Sequence, residues 1–180
     1  MATSIQEMQW VLRAQVGDRE ALENLLRSML PSLRRYLTGL GGADGEDVLQ
    51  DVMVIIIRKL GSLQEPEVFR AWIFRIASRE VFRHLRKRRL WIEHHEDDFP
   101  FDRLSSPDLP PPGQSIPQLL TTAEVSPASR AVLLLHFQEE LSLPEIAAIL
   151  DIPLGTAKSR LAYGLASIRK HLKKKGDIRG

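Results

Sequence analysis

Pro100, Pro107, Pro110, Pro111, Pro112 and Pro117 crowd one short stretch of the chain, with Gly113, Ser105, Ser106 and Ser115 among them. Proline has a fixed φ and no amide hydrogen, and such a stretch offers too little apolar surface to pack, so it reads as a semi-extended linker. It cuts the chain into a larger N-terminal and a smaller C-terminal part. The expected division is a domain over 1–92, a linker over 93–116 and a second domain over 117–180.

Both flanks carry helical periodicity. Ser4-Ile5-Gln6-Glu7 is a capping-box pattern, with Ile5, Met8, Leu12 and Val16 expected along one buried face and Gly17 as the stop. Asp18 can cap a second helix carrying Leu22, Leu25, Leu26, Met29, Leu33, Leu37 and Leu40, which Pro31 should kink or divide and Gly41-Gly42 should end. A third helix starts at Asp44 or Gly45, with Val48, Val52, Ile55, Ile56 and Leu60 facing a core. The Ile55-Ile56-Ile57 run could be a strand, but the flanking spacing is helical and no second strand exists to pair with it. Pro66 suits the first turn of a fourth helix, whose apolar face holds Phe69, Trp72, Ile73, Ile76 and Leu85. In the C-terminal part, Ser126-Pro127 and the capping box Ser142-Leu143-Pro144-Glu145 open two helices. After Asp151-Ile152-Pro153 a last helix runs from about Leu154 to Lys174. The expected fold class is all-α: two small helical domains joined by an acidic, proline-rich linker.

The net charge of +2 conceals a strong pattern. Arg75, Arg79, Arg83, Arg86, Lys87, Arg88 and Arg89 stand against the lone acid Glu80, and Lys158, Arg160, Arg169, Lys170, Lys173, Lys174, Lys175 and Arg179 stand against Asp177. Between them, Glu93, Glu96, Asp97, Asp98, Asp102 and Asp108 face only Arg103. Two basic patches around an acidic segment suit two contacts with a polyanion, although solvated helix faces give the same pattern.

Three segments carry the functional signal. Ser142 to Leu172 reads as a helix-turn-helix, with Ala147 and Ala148 allowing close helix approach and Ile152 plugging the corner. The start of its second helix, Gly155-Thr156-Ala157-Lys158-Ser159-Arg160, has the small, hydroxylated and basic residues that suit a major groove, while an ordinary helical hairpin with a basic outer face would look similar. In the fourth helix, Arg75, Arg79, Arg83 and Arg86 form a like-charged stripe interleaved with Phe69, Trp72, Phe74 and Phe82. Stacking faces beside cations are what a single strand of nucleic acid requires; Phe69 also fits the core, and Trp72 can divide itself between core and surface. Asp44, Glu46, Asp47, Gln50 and Asp51 at the start of the third helix either complement the helix dipole or form a docking surface for a basic protein.

Other chemistry is poorly supplied. The chain has no cysteine, which excludes disulfides, thiolate metal sites and cysteine nucleophiles. His94-His95-Glu96-Asp97-Asp98 could be drawn as a metal site for a hydrolase, but a solvated acidic tether accounts for it. No cofactor, no metal ligands and no catalytic residues are expected. The longest apolar run, Val52–Ile57, is too short to cross a bilayer, and Met1–Gln9 lacks the pattern of a signal peptide, so a cytoplasmic location without membrane insertion is expected.

The order of these features resembles the extracytoplasmic-function (ECF) sigma factors, which keep only sigma regions two and four. Gly45-Glu46-Asp47-Val48-Leu49-Gln50-Asp51-Val52 is similar to the family's Ala-Glu-Asp-Leu-Val-Gln-Glu-Val, and Phe69-Arg70-Ala71-Trp72-Ile73-Phe74-Arg75-Ile76-Ala77 to its Phe-Arg-Ala-Trp-Leu-Tyr-Arg-Ile-Ala. Ile152-Pro153-Leu154-Gly155-Thr156-Ala157-Lys158-Ser159-Arg160-Leu161 is similar to its Ile-Pro-Val-Gly-Thr-Val-Lys-Ser-Arg-Leu. The chain departs where the family usually has Asn at the Arg79 position and Asp at the Arg83 position, and Ala162 lacks a side chain that commonly adds a contact.

The resemblance implies docking on the clamp coiled coil of core RNA polymerase through Asp47, Gln50 and Asp51. It implies capture of the opened minus-ten strand by Trp72, Arg75, Arg79, Arg83 and Arg86. It also implies minus-thirty-five promoter DNA held by Thr156, Lys158, Ser159, Arg160 and Tyr163, and control by an anti-sigma factor. A stand-alone helix-turn-helix regulator is the alternative, and it leaves the aromatic and arginine pattern of the fourth helix without a role.

Overall fold

The computed structural model describes residues 3–87, 119–120 and 123–175, and divides the chain into two compact units, Met1–Arg88 and Arg89–Gly180. The acidic segment, with His94 and His95, and the linker expected over 93–116 lie outside the described residues. Among the described residues every regular element is helical, and no helix is long and apolar enough to cross a membrane.

In the first unit, α1 (Ile5–Gln15) packs on α2 (Arg19–Gly41), and α2 packs on both α3 (Gly45–Lys59) and α4 (Phe69–Lys87), which also pack on each other. Short 3-10 turns at Gly42–Asp44, Leu60–Ser62 and Pro66–Val68 connect them, so Pro66 opens the turn that leads into α4 and not α4 itself. The Ser4–Glu7 capping box is complete, and Asp18 accepts the Ala21 amide at 3.0 Å to start α2. The α2–α3 corner is tight because Gly45 lets the helices touch: a Cβ there would sit 2.6 Å from the Thr38 Cα.

Division at Pro31 is not observed, and the buried face of α1 differs from the expected one. Pro31 does not divide α2, which runs unbroken from Arg19 to Gly41. The ring lies on the exposed face, where a helix wrapping a core already lengthens its hydrogen bonds. The face of α1 is also reassigned: Ile5, Leu12 and Val16 are 73%, 54% and 85% exposed, while Glu7 and Val11 are buried. The reason is an ion pair. Glu7 turns inward to receive Arg70 from α4, and the stripe that contains Glu7 is the one that meets the bundle.

In the second unit, Leu119 and Leu120 are buried, followed by α5 (Pro127–Phe137), α6 (Leu143–Leu150) and α7 (Leu154–Lys175). Helices α5 and α6 pack on α7 and on each other. Ser126 caps α5 by accepting the Ser129 amide at 3.2 Å. The buried stripe of α7 is Ala157, Leu161, Leu165, Ile168 and Leu172. Gly164 lies against α5, where a Cβ would come 2.5 Å from the Leu133 Cδ1.

Candidate nucleic-acid interface

The core side of α4 is Phe69, Ile73, Phe74, Ala77, Ser78, Val81 and Leu85. At 3.6 residues per turn the opposite side carries Trp72, Arg75, Arg79, Arg83 and Arg86 as one stripe. All four arginines are exposed and Trp72 is half-buried, its ring centroid 6.2 Å from that of Phe69. Phe74 does not join the stacking aromatics: it is 2% exposed and meets Tyr36 edge-on at 5.5 Å between centroids. The spacing places Phe74 toward α2, and the Tyr36 hydroxyl, bonded to Ser78 Oγ at 2.8 Å, closes that contact. Burial pushes the Tyr36 hydroxyl well above the ordinary phenol range, so it stays protonated.

Arg83 contacts acids on two helices. Its Nε donates to Glu80 Oε2 at 2.8 Å, its Nη2 also meets that carboxylate, and the same Nη2 lies 3.9 Å from Asp51 Oδ2 on α3. On α3, Val48, Leu49, Val52 and Ile56 are buried, and Asp47, Gln50 and Asp51 are exposed on the other side at spacings of three and four. Val54, 51% exposed, extends this stripe, and Ile57, 46% exposed, lies beside it. Neither stands out in the sequence, because apolar residues within an apolar run look like core. Glu46 is engaged separately, by Arg34 Nε at 3.0 Å.

Helices α6 and α7 meet through Asp151-Ile152-Pro153. Asp151 adopts left-handed backbone angles (φ 56, ψ 51), which a short polar side chain tolerates better than a branched one. Ile152, half-buried, donates its amide to Ala147 O at 3.0 Å, and Pro153 O receives the Ala157 amide at 3.1 Å to start α7. Ala147 is buried at the crossing, whereas Ala148 is exposed. Hydrogen bonds from the Ser142 side chain and amide hold the Glu145 carboxyl below the ordinary glutamate range and fix the start of α6.

On α7 the outward stripe runs through Thr156, Ser159 and Tyr163, all half-buried. Lys158, exposed, and Arg160, half-buried, lie on opposite flanks of that stripe. Ser159 donates its hydroxyl to Thr156 O at 3.0 Å, so its remaining capacity is as an acceptor. Small polar residues in the middle with one cation on each flank match a groove that has base edges on its floor and phosphates on both walls. Among the described residues no group of three or more His, Asp or Glu side chains is placed to hold a metal ion.

A helical bundle bearing an aromatic-arginine stripe, in one chain with a helix-turn-helix, defines a two-domain architecture suited to nucleic acid. A family model described as Sigma-70 region 2 matches residues 25–90, and one described as Sigma-70, region 4 matches residues 123–170. The RNA polymerase sigma-H factor of Pseudomonas aeruginosa is 28% identical over 188 residues, covering 96% of each chain. The ECF RNA polymerase sigma-E factor of Escherichia coli is 27% identical over 177 residues, covering 89% of this chain and 91% of that one. Among solved structures, CnrH in complex with the cytosolic domain of CnrY shares the fold with a TM-score of 0.66 at 22% identity, covering 94% of this chain and 98% of that one. The chain belongs to the sigma-70 family of RNA polymerase sigma factors, in the ECF class. As a sigma factor it directs promoter recognition and transcription initiation by RNA polymerase.

Proposed function

We propose that α4 holds the opened minus-ten strand through Trp72, Arg75, Arg79, Arg83 and Arg86, and that α7 holds the minus-thirty-five duplex through Thr156, Lys158, Ser159, Arg160 and Tyr163. In this reading Asp47, Gln50 and Asp51 on α3, with Val54 beside them, dock on the clamp coiled coil of core polymerase. The observation that carries the reading is the solvent-facing stripe of α4, where four arginines line up beside a half-buried indole. Like charges at helical spacing of three and four repel in isolation, and a polyphosphate partner turns that repulsion into binding energy. Bases stack on the indole while the guanidiniums follow the backbone.

The division of labour follows the two domains, 1–92 and 117–180, with residues 93–116 as the tether. Two modest contacts on one tether gain through effective concentration, so neither domain has to bind tightly by itself. Nothing in these roles requires bond chemistry on a substrate: the factor is read as non-enzymatic, free of cofactors and metals, and cytoplasmic. Control by an anti-sigma factor is part of the proposal. It is supported by the fold shared with RpoE of Bartonella quintana, solved in complex with the anti-sigma factor NepR (TM-score 0.66, 23% identity, 86% of this chain and 98% of that one).

Run-off transcription with core polymerase tests the reading. Lys158→Ala with Arg160→Ala lowers promoter-directed transcripts and leaves core binding intact, whereas Asp47→Ala with Gln50→Ala weakens core binding in a pull-down. Wild-type transcription from the first pair removes α7 as the recognition helix. Tight duplex binding by the chain without polymerase would favour a stand-alone regulator.

A further inference from the structure

The Asp51–Arg83–Glu80 contact joins two surfaces that the proposed function assigns to different partners. Glu80 is the firm anchor: its side chain is 17% exposed and it grips Arg83 within one helix. Asp51 is the loose one, 67% exposed and 3.9 Å away across the α3–α4 boundary. It shares its stripe with Asp47 and Gln50, while Arg83 shares its own with Arg75, Arg79 and Arg86.

From this geometry, and resting on the docking and strand-binding roles proposed above, we propose that Arg83 is a positioning residue that couples polymerase docking to strand capture. In the unbound chain Arg83 Nη2 faces the Asp51 carboxylate from 3.9 Å, a long ion pair that partly offsets its charge. A basic polymerase surface that takes Asp51 has to draw it from Arg83, and a strand phosphate that takes Arg83 leaves Asp51 to the polymerase. Each partner therefore favours the other by the same factor. The neighbouring His84–Asp44 contact at 3.5 Å also links α4 to the α3 end, but Asp44 precedes α3 and lies off the docking stripe, so docking leaves it in place.

The pair is solvent-exposed, so the coupling is small and fades with salt. Titration of the full-length chain against core polymerase at low salt reads it directly. Arg83→Gln is expected to tighten core binding about two- to fivefold, the range of an exposed ion pair. That gain is expected to vanish in an Asp51→Asn background and to be absent for Arg79→Gln, which removes the same charge away from Asp51. An unchanged or weaker affinity for Arg83→Gln overturns the coupling, as does an equal gain with Asn at position 51, which marks a mere change of net charge. Asp47→Ala is measured in parallel. If it weakens binding while Arg83→Gln has no effect, the coupling alone falls; if neither Asp47→Ala nor Asp51→Asn matters, the docking role falls and the coupling with it.

Discussion

Arg70 at the start of α4 closes a two-pronged ion pair on Glu7 of α1, with Nη2 2.7 Å from Oε1 and Nε 3.0 Å from Oε2. The carboxylate also receives the Ser4 amide at 3.0 Å and the Ser28 hydroxyl at 3.2 Å. Around it, Thr3 Oγ1 donates to Glu67 O at 2.7 Å and accepts the Arg70 amide at 3.3 Å. One glutamate thus completes a helix cap and ties the first helix to the last helix of its unit. It also fixes the start of the helix that carries Trp72 and the arginines.

Removing Arg70 leaves the buried Glu7 carboxylate without its cation, which costs about 3 kcal/mol; removing Glu7 costs less, because Arg70 is only half-buried. Arg70→Ala and Glu7→Gln are each expected to lower the urea midpoint of the first unit, and Arg70→Lys to recover only part of the loss because it cannot make the forked contact. The pH dependence follows. Burial alone raises the Glu7 carboxyl, but the hydrogen bonds from Arg70 and Ser4 and the Arg70 charge outweigh it and hold the group below the ordinary value of 4.5. A depressed folded value means the stabilisation is fully present above 4.5 and is lost as pH falls from there through the folded value. The stability gap between wild type and Glu7→Gln should narrow on acidification in that window. A gap constant between pH 7 and pH 3 would contradict the account.

The same residue explains why the buried face of α1 departs from its apolar periodicity. A glutamate three places after a serine announces a capping box, and the sequence supports that much. That its carboxylate also meets a half-buried arginine from α4 depends on a partner far along the chain, so the apolar periodicity of Ile5, Leu12 and Val16 points to a face other than the one Glu7 and Val11 bury. The arginine stripe of α4 was legible because its spacing is local and its charge keeps it outside. Phe74 was not, because an aromatic one residue from an arginine can face either way until Tyr36 is known to lie opposite. The helix-turn-helix corner was legible from Ser142-Leu143-Pro144-Glu145 and Ile152-Pro153, which act through their own neighbours.

Tyr36 and Ser78 offer a double-mutant cycle. Ser78→Ala leaves the buried phenol hydroxyl without its partner, an expected loss of about 1–3 kcal/mol. Tyr36→Phe should cost less, since a serine within a helix can turn its hydroxyl to the carbonyl four residues back. The double variant should be less destabilised than the sum of the two, by chemical denaturation. Additive losses would mean that the hydroxyls do not act as a pair.

Three glycines separate close approach from idle flexibility. At Gly45 a Cβ meets Thr38 backbone atoms at 2.6 and 2.8 Å, which only a shift of α2 against α3 can relieve. At Gly164 it meets the Leu133 side chain at 2.5 Å, which a rotamer change relieves in part. Near Gly155 nothing lies within 4 Å. Alanine at position 45 should therefore cost about 2–3 kcal/mol and at position 164 about 1–2 kcal/mol, as overpacking does. At position 155 it should gain about 0.5 kcal/mol by restricting the unfolded chain. Thermal melts of the three variants check the order; a destabilised Gly155→Ala would show that the start of α7 is more constrained than its open surroundings indicate.

Opposite flanks of the α7 stripe should behave alike toward salt and differently from its middle. A lysine that neutralises one phosphate releases about one condensed counterion, so Lys158→Ala should flatten the plot of log affinity against log salt by roughly one unit. It should also weaken binding to all minus-thirty-five sequences about equally, because phosphates carry no sequence information. Ser159 is placed otherwise: its hydroxyl hydrogen is committed to Thr156 O, so toward a base it can only accept, for which the amino groups of adenine and cytosine are the matching donors. Ser159→Ala should then leave the salt slope unchanged and relax preference at a single base pair by about 1 kcal/mol. Competition binding of the holoenzyme to a set of minus-thirty-five variants at several salt concentrations separates the two effects. A salt slope altered by Ser159→Ala but not by Lys158→Ala would reverse the assignment of floor and wall.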